Sequence, residues 1–355
     1  MTSPGRPAAL LLEPRKIEIT PLPVPEPGPG QVQVAVHSVG LCGSDLHYYA
    51  EGRNGPNVLR APCVLGHEGA GTITAVGAGV PAERVGERVA IEPAHPCGDC
   101  ELCRGGRYNL CRAGRCFGSP PTHGLLRSHT VLPAAFAHPL PGTVGDDEAA
   151  LVEPLAVAVW AVRRGRVGPG DRVLVTGAGP IGLLSALAAL RCGAAEVTVH
   201  DVDPVRLAAA RAAVGGTGVQ VRDAPPGGEV DRLLECSGAP AALRAAERLA
   251  PGGVLALVGT PSGAPPAELT ALTQRWEFDV AGCFRYGPAS FTTAVAWAAT
   301  GLPGLRGLVT ARYPLAEAAA ALERARTDRS QLKVVIDVTA PPADIPAPKE
   351  GQSPA

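Results

Sequence analysis

The sequence predicts an α/β chain in two parts: a small, irregular β-barrel whose loops carry chemistry, and a doubly wound parallel sheet. Three observations predict it. Between residues 17 and 91 the strand-like segments are short, alternating and separated by glycine and proline turns. From 170 onward, strand patterns alternate with helical ones, as a parallel sheet with crossover helices requires. Between the two regimes, four cysteines fall within residues 97–111. At 355 residues the chain has room for about two domains with a well-buried core.

In the first part, Ile17-Glu18-Ile19 and Gln31-Val32-Gln33-Val34-Ala35-Val36 read as strands joined by a stiff, proline-rich connection, 21–29. Gly71-Thr72-Ile73-Thr74-Ala75-Val76-Gly77 and Gly86-Glu87-Arg88-Val89-Ala90-Ile91 read as further strands bounded by glycine turns. Two loops bear donor atoms: Cys42 in Gly40-Leu41-Cys42-Gly43-Ser44-Asp45, and His67-Glu68 between Gly66 and Gly69. The flanking glycines let the His-Glu pair sit on a tight turn rather than on a regular helix or strand. Thiolate, imidazole and carboxylate suit zinc, and three protein ligands leave a fourth position for water or substrate, the catalytic arrangement. Asp45 is placed to orient the histidine, to cap a helix starting at Leu46, or to do both.

Cys97, Cys100, Cys103 and Cys111 read as a closed, structural zinc lobe spanning 95–113, with no position left for substrate. The remaining six of the ten cysteines are scattered singly among apolar neighbours, which is not a disulfide framework. With no signal-peptide pattern at the N-terminus, reduced thiols and a cytoplasmic location are expected. Charges nearly cancel, 32 Lys and Arg against 33 Asp and Glu, without a basic run, which argues against nucleic acid or an anionic membrane as partner. The longest apolar run, 181–190, is too short to span a bilayer.

After Glu153-Pro154 the pattern changes. Residues 155–162 read as a helix; a strand ending at Thr176 then runs into Gly177-Ala178-Gly179-Pro180-Ile181-Gly182, which opens an apolar helix through Arg191. A second strand, Glu196-Val197-Thr198-Val199-His200, ends at Asp201. Together these make a dinucleotide fingerprint. Gly177, Gly179 and Gly182 let a pyrophosphate approach the helix N-terminus, and Asp201 would hold the adenosine ribose hydroxyls and repel a 2′-phosphate. NAD is therefore expected rather than NADP. Strands at 219–221, 231–236, 253–259 and 278–282 bring the number to six, with a helical pattern at 241–250. Helices near 291–299 and 315–325 and the strand Lys333-Val334-Val335-Ile336-Asp337-Val338 are taken to return to the first part. Residues 341–355, rich in proline and small residues, read as disordered. The expected domains are 1–154 with 288–340, and 155–287.

A zinc with an open position beside a nicotinamide suits alcohol–ketone interconversion, because the metal acidifies a bound oxygen ligand and the ring accepts hydride. Ser44 can take the alcohol proton, and the imidazole of His47 can pass it to solvent.

Cys42-Gly43-Ser44-Asp45-Leu46-His47-Tyr48, Gly66-His67-Glu68, the four-cysteine lobe, Glu153-Pro154, the glycine turn at 177–182 and Phe284-Arg285-Tyr286 together resemble the zinc-dependent medium-chain dehydrogenases. Within them the nearest match is the sorbitol (L-iditol, xylitol) dehydrogenase branch, over about residues 16–338. The resemblance implies a GroES-like catalytic domain, a Rossmann NAD-binding domain, two zincs per chain, and a homo-oligomer, usually a tetramer, with a dimer as the alternative. It implies Cys42, His67 and Glu68 as catalytic zinc ligands, with Glu153 at or near the metal holding water or substrate. Tyr48, Glu153, Arg285 and Tyr286 would line a polyol pocket; Ile181, Asp201, Arg206, Val258, Gly259, Phe284 and Arg285 would contact NAD. The expected function is oxidation of a secondary hydroxyl of a small-molecule polyol to a ketone. The same chemistry on 2,3-butanediol, threonine or an aminocyclitol is the alternative. A non-catalytic dinucleotide-binding protein is the remote one, and the presence of Cys42, His67, Glu68 and Glu153 together argues against it.

Overall fold

The computed structural model describes residues 5–339, so the tail at 341–355 lies outside the described residues. The second part holds a six-stranded, wholly parallel sheet. Across it lie Gln220–Arg222, Glu196–His200, Arg172–Thr176, Val230–Glu235, Leu249–Leu257 and Asp279–Gly282. Chain order reverses between Arg172–Thr176 and Val230–Glu235, and the carboxyl ends there form the crevice in which a doubly wound sheet receives its ligand. Both faces of this sheet are covered, so its strands need no polar alternation: Val173, Leu174 and Val175 are all buried. Gly177, at φ +96°, turns the chain into helix Pro180–Arg191. A Cβ on Gly182 would lie 1.9 Å from the Gly177 carbonyl oxygen, so the turn closes only around a glycine.

The first part is built on Gln31–Gly40, the strand that organises a seven-stranded mixed sheet. It pairs antiparallel with Glu68–Val76 on one side, and with Lys333–Asp337 and His129–Pro133 along the other. Chain following the parallel sheet thus returns here: Val309–Pro314 and Lys333–Asp337 run side by side in it. A smaller sheet joins Arg6–Glu13 to Lys16–Leu22 and Cys63–Val64. The sequence reading begins its strands at 17 and misses Arg6–Glu13, whose alanines and leucines favour helix as readily as strand.

Three expectations change. Glu68 is not on the turn. It opens strand Glu68–Val76, and the turn is made by Gly66 at φ +89°. The helix expected at 155–162 spans Val152–Arg164, with Glu153 and Pro154 in its first turn, where a proline breaks no hydrogen bond. The segment 241–250 is a 3₁₀ helix, Pro240–Arg248, which ends where Leu249 pairs with Val230 in the sheet.

Helices Val152–Arg164, Pro180–Arg191 and Ser290–Ala299 share one apolar layer in which Leu155, Val159, Leu184, Phe291 and Ala294 are buried together. A second cluster, with Leu233, Leu255 and Phe278, lies about the parallel sheet, and the barrel has its own core of Val34, Leu65, Ile73, Leu322 and Ile336. The boundaries expected at 155 and 288 therefore fall within or beside a packed helical layer rather than in an exposed linker. Because the clash at Gly182 is with backbone, Gly182→Val is expected to destabilise the protein by about 1–3 kcal/mol, read from its unfolding midpoint. Gly168→Ala, where nothing lies within 4 Å of the added carbon, should stay within about 0.5 kcal/mol of the parent.

Candidate active site

Cys42 precedes the first turn of helix Gly43–Glu51, and Asp45 fastens it there. One Asp45 oxygen accepts the Cys42 N–H at 3.0 Å; the other accepts the Gly66 N–H at 3.0 Å and lies 3.6 Å from His67 Nδ1. Asp45 thus fixes both donor loops and orients the imidazole, and its helix starts at Gly43 rather than Leu46. Burial alone would raise the Asp45 pKa, but His67 and the two N–H donors hold its carboxyl below the usual range. Against the lowering effect of burial, the Asp45 and Cys42 charges raise the proton affinity of His67. The ligand atoms of Cys42, His67 and Glu68 lie within 4.8 Å of one another, close enough to share one ion.

Glu68 has a partner that the sequence reading misses. Lys333 Nζ donates to both Glu68 oxygens, at 2.6 and 2.8 Å, and to the Leu41 carbonyl at 3.0 Å. Both side chains are buried, and although burial would lower the Lys333 pKa, Glu68 raises it. An ionised carboxylate has lone pairs for both the ammonium and a metal, so this pairing is compatible with ligation. A Cβ on Gly40 would fall 2.3 Å from Glu68 Oε2, which explains the glycine there. A lysine at the head of an otherwise buried strand, Lys333–Asp337, was the available signal.

Glu153 stands beside this group rather than within the set of converging ligands. Burial first, then Glu68, pushes its pKa up to about 7, with His67, Lys333 and Arg285 pulling the other way. Ser44 is half-buried on the helix that follows Cys42. One turn further along, His47 is exposed, its Nδ1 3.5 Å from Glu51 Oε1. Tyr48 and Tyr286 are each 1% exposed; the Tyr286 hydroxyl has no hydrogen-bond partner, whereas that of Tyr48 lies beside the polar side chains of Ser119 and Asn57. Burial, then the nearby Glu153, keeps the Tyr286 hydroxyl protonated well beyond its ordinary range. The Arg285 guanidinium lies 5.1 Å from the centre of the Phe284 ring.

At the sheet's switch point lies a cavity of about 420 Å³, lined by Gly177, Gly179, Asp201 and Arg206. Asp201 accepts the Ala178 and Asp203 N–H groups at 2.8 and 3.0 Å. Thr176 and His200 also line it, and each has a buried side-chain atom without a partner, the kind of vacancy a polar ligand fills. Sequence reading missed both, as well as Arg329, which lines the cavity while paired with Asp203 at 2.9 Å. Arg206 is partly committed elsewhere, donating to the Gln331 carbonyl. Gly259 and Phe284 line a separate groove of about 960 Å³ beside the lobe. Gly182 is enclosed within its turn; Ile181 and Val258 are half-buried and border neither space.

In the lobe, the four sulfurs lie 3.4–3.9 Å apart along Cys97–Cys111, Cys100–Cys103, Cys97–Cys103 and Cys100–Cys111. The edges of a tetrahedron with zinc–sulfur bonds of about 2.3 Å measure about 3.8 Å, so the cradle fits one zinc. The backbone N–H groups of Asp99 and Cys100 pull the Cys97 thiol down to about 6, favouring the thiolate.

Comparison with known proteins identifies the family. The alcohol dehydrogenase GroES-like domain matches residues 28–142, and the zinc-binding dehydrogenase family matches residues 180–300. The chain is 37% identical over 342 residues to the sorbitol dehydrogenase of Bacillus subtilis (strain 168), covering 93% of this chain and 96% of that one. It is 40% identical over 302 residues to a putative D-xylulose reductase of Agrobacterium fabrum, covering 82% and 86%. Among solved structures, L-idonate 5-dehydrogenase of Escherichia coli superposes with a TM-score of 0.85 at 30% identity, covering 93% and 97%.

Lys333→Met strands Glu68 as a buried, unpaired carboxylate and is expected to cost about 3–5 kcal/mol in urea unfolding. Adding Glu68→Gln should recover part of that loss; additive losses would show that the two groups are not coupled.

Proposed function

The chain belongs to the zinc-dependent medium-chain dehydrogenases, and on that premise we propose that it oxidises a secondary hydroxyl of a polyol to a ketone, reversibly, with NAD as hydride acceptor. The observation that carries the polyol reading is the buried, unpartnered hydroxyl of Tyr286, whose pKa is raised by burial and by the Glu153 carboxylate. A substrate with several hydroxyls can satisfy Tyr286 as well as present its reacting oxygen, whereas a plain alcohol leaves Tyr286 orphaned.

When bound, zinc held by Cys42, His67 and Glu68 supplies Lewis acidity at the substrate oxygen, and NAD supplies the hydride acceptor. The protein's own groups orient the substrate and move the proton. Ser44 accepts the hydroxyl proton and His47, at the exposed end of the same helix turn, delivers it to solvent. Glu153, poised near neutrality, holds the reacting hydroxyl or a water, and the Arg285 fork donates to a neighbouring hydroxyl. Asp201 receives the adenosine ribose, and its charge disfavours a 2′-phosphate. The reaction balances as one hydride to the nicotinamide and one proton to solvent. Gly182, Ile181, Val258, Gly259 and Phe284 belong to the proposed cofactor surroundings. We also assign the protein to the cytoplasm as a homo-oligomer, a tetramer or dimer, on the family likeness; no described helix is long and apolar enough to cross a membrane.

NADH production across sorbitol, xylitol, ribitol, L-iditol, 2,3-butanediol, threonine and simple alcohols tests the reading, with NADP in parallel. Polyols with NAD are the expected substrates; turnover confined to butanediol, threonine or a plain alcohol would refute the polyol pocket. Cys42→Ser should lower turnover by about 10³-fold or more with the fold retained. Cys100→Ser should lose the lobe zinc and stability first.

A further inference from the structure

The lobe carries a turn, Tyr108–Leu110, to which no role has been given so far. We propose that Asn109 is a positioning residue: it sets Arg285 against the substrate, which makes the four-cysteine lobe part of substrate recognition. The proposal rests on the polyol reading above.

Arg285 stands at φ +52°, in the left-handed region that residues other than glycine occupy at a cost. Such a conformation persists where its surroundings over-determine it. The peptide leading into Arg285 is gripped by Asn109, whose Nδ2 donates to the Phe284 carbonyl at 3.0 Å. Asn109 is 7% exposed, so water is poorly placed to replace that bond.

The turn bearing Asn109 is itself fixed from two sides. Cys111, just beyond it, is one of the four converging sulfurs. On the other side, Tyr108 Oη donates to Glu92 Oε1 at 2.6 Å. Glu92 is buried, and its second oxygen lies 2.6 Å from His138 Nε2 on strand Ala137–Pro139. A buried carboxylate is tolerated when both oxygens are engaged, and here each binds a different segment. The His138 ring lies 4.6 Å from that of Phe291, which meets Tyr286 edge-on at 5.6 Å. The Arg285-Tyr286 wall is therefore reached twice from the lobe side: through Asn109 to its backbone, and through Glu92, His138 and Phe291 to its ring. The Arg285 charge is felt at Glu153, so tilting the peptide before Arg285 moves a cation within the site.

Asn109→Ala tests this in the zinc-replete protein. The expected result is a rise of about tenfold in KM for the preferred polyol, with kcat within about threefold, and NAD affinity and two zincs per chain unchanged. Amide hydrogen exchange over 284–287 should quicken, a readout that does not depend on knowing the substrate. Tyr108→Phe should move KM and exchange in the same direction by less, and Asn109→Ala should add little to the KM of Arg285→Ala. Unaltered KM and exchange in Asn109→Ala, or a loss of thermal stability alone, would overturn the proposal. If the parent protein turned over no polyol, the substrate reading would fail, while the exchange comparison would still decide whether Asn109 holds the Arg285 peptide.

Discussion

The site depends on one buried ion pair. Glu68 and Lys333 lie 265 residues apart in the chain, yet their side chains form two short hydrogen bonds beside Cys42 and His67. A buried pair adds little net stability over apolar packing, but breaking it is costly, so its effect is to fix which strands meet. Lys333 reaches Glu68 because Lys333–Asp337 and Glu68–Val76 flank Gln31–Gly40, and a side chain at 40 would press on the carboxylate in its present position. Along the chain, the whole parallel sheet lies between the two partners of this pair.

A second constraint is helix Val152–Arg164, about 20 Å long. At its start Glu153 stands by the metal donors. At its end Arg164 donates to the Gly282 carbonyl, and Arg163 to the Pro288 carbonyl and the Ser290 and Thr293 hydroxyls. The segment bearing Phe284, Arg285 and Tyr286 is held between these arginine contacts and the lobe. Barrel, helix and lobe thus meet around one space, where exclusion of water strengthens every charge and raises the Glu153 pKa.

What was legible in the sequence was local. Cys42, the His67-Glu68 pair, the four cysteines and the glycine turn each declare themselves by short spacing, because ligand cradles and phosphate turns are built from few consecutive residues. The six parallel strands were legible too, through their alternation with helical patterns and, in the central strand, the buried apolar run Val173-Leu174-Val175. The illegible parts depend on pairing across long separations. Lys333 was read only as the first residue of a strand, and Asn109 was given no role, because their partners lie far away in the chain; Arg6–Glu13 was given none either. Asp45 was read in both of its roles, but its second anchor, the Gly66 N–H, appears only once the two loops are side by side.

The central claim, that Cys42, His67 and Glu68 hold a catalytic zinc distinct from the one in the lobe, is most directly tested by anomalous diffraction at the zinc edge from crystals of the zinc-replete protein. Two peaks per chain are expected: one about 2.0–2.3 Å from the Cys42 sulfur, a His67 ring nitrogen and a Glu68 oxygen, the other among the four lobe sulfurs. A single peak at the cysteines, with Glu68 bound to Lys333 alone, would contradict the account.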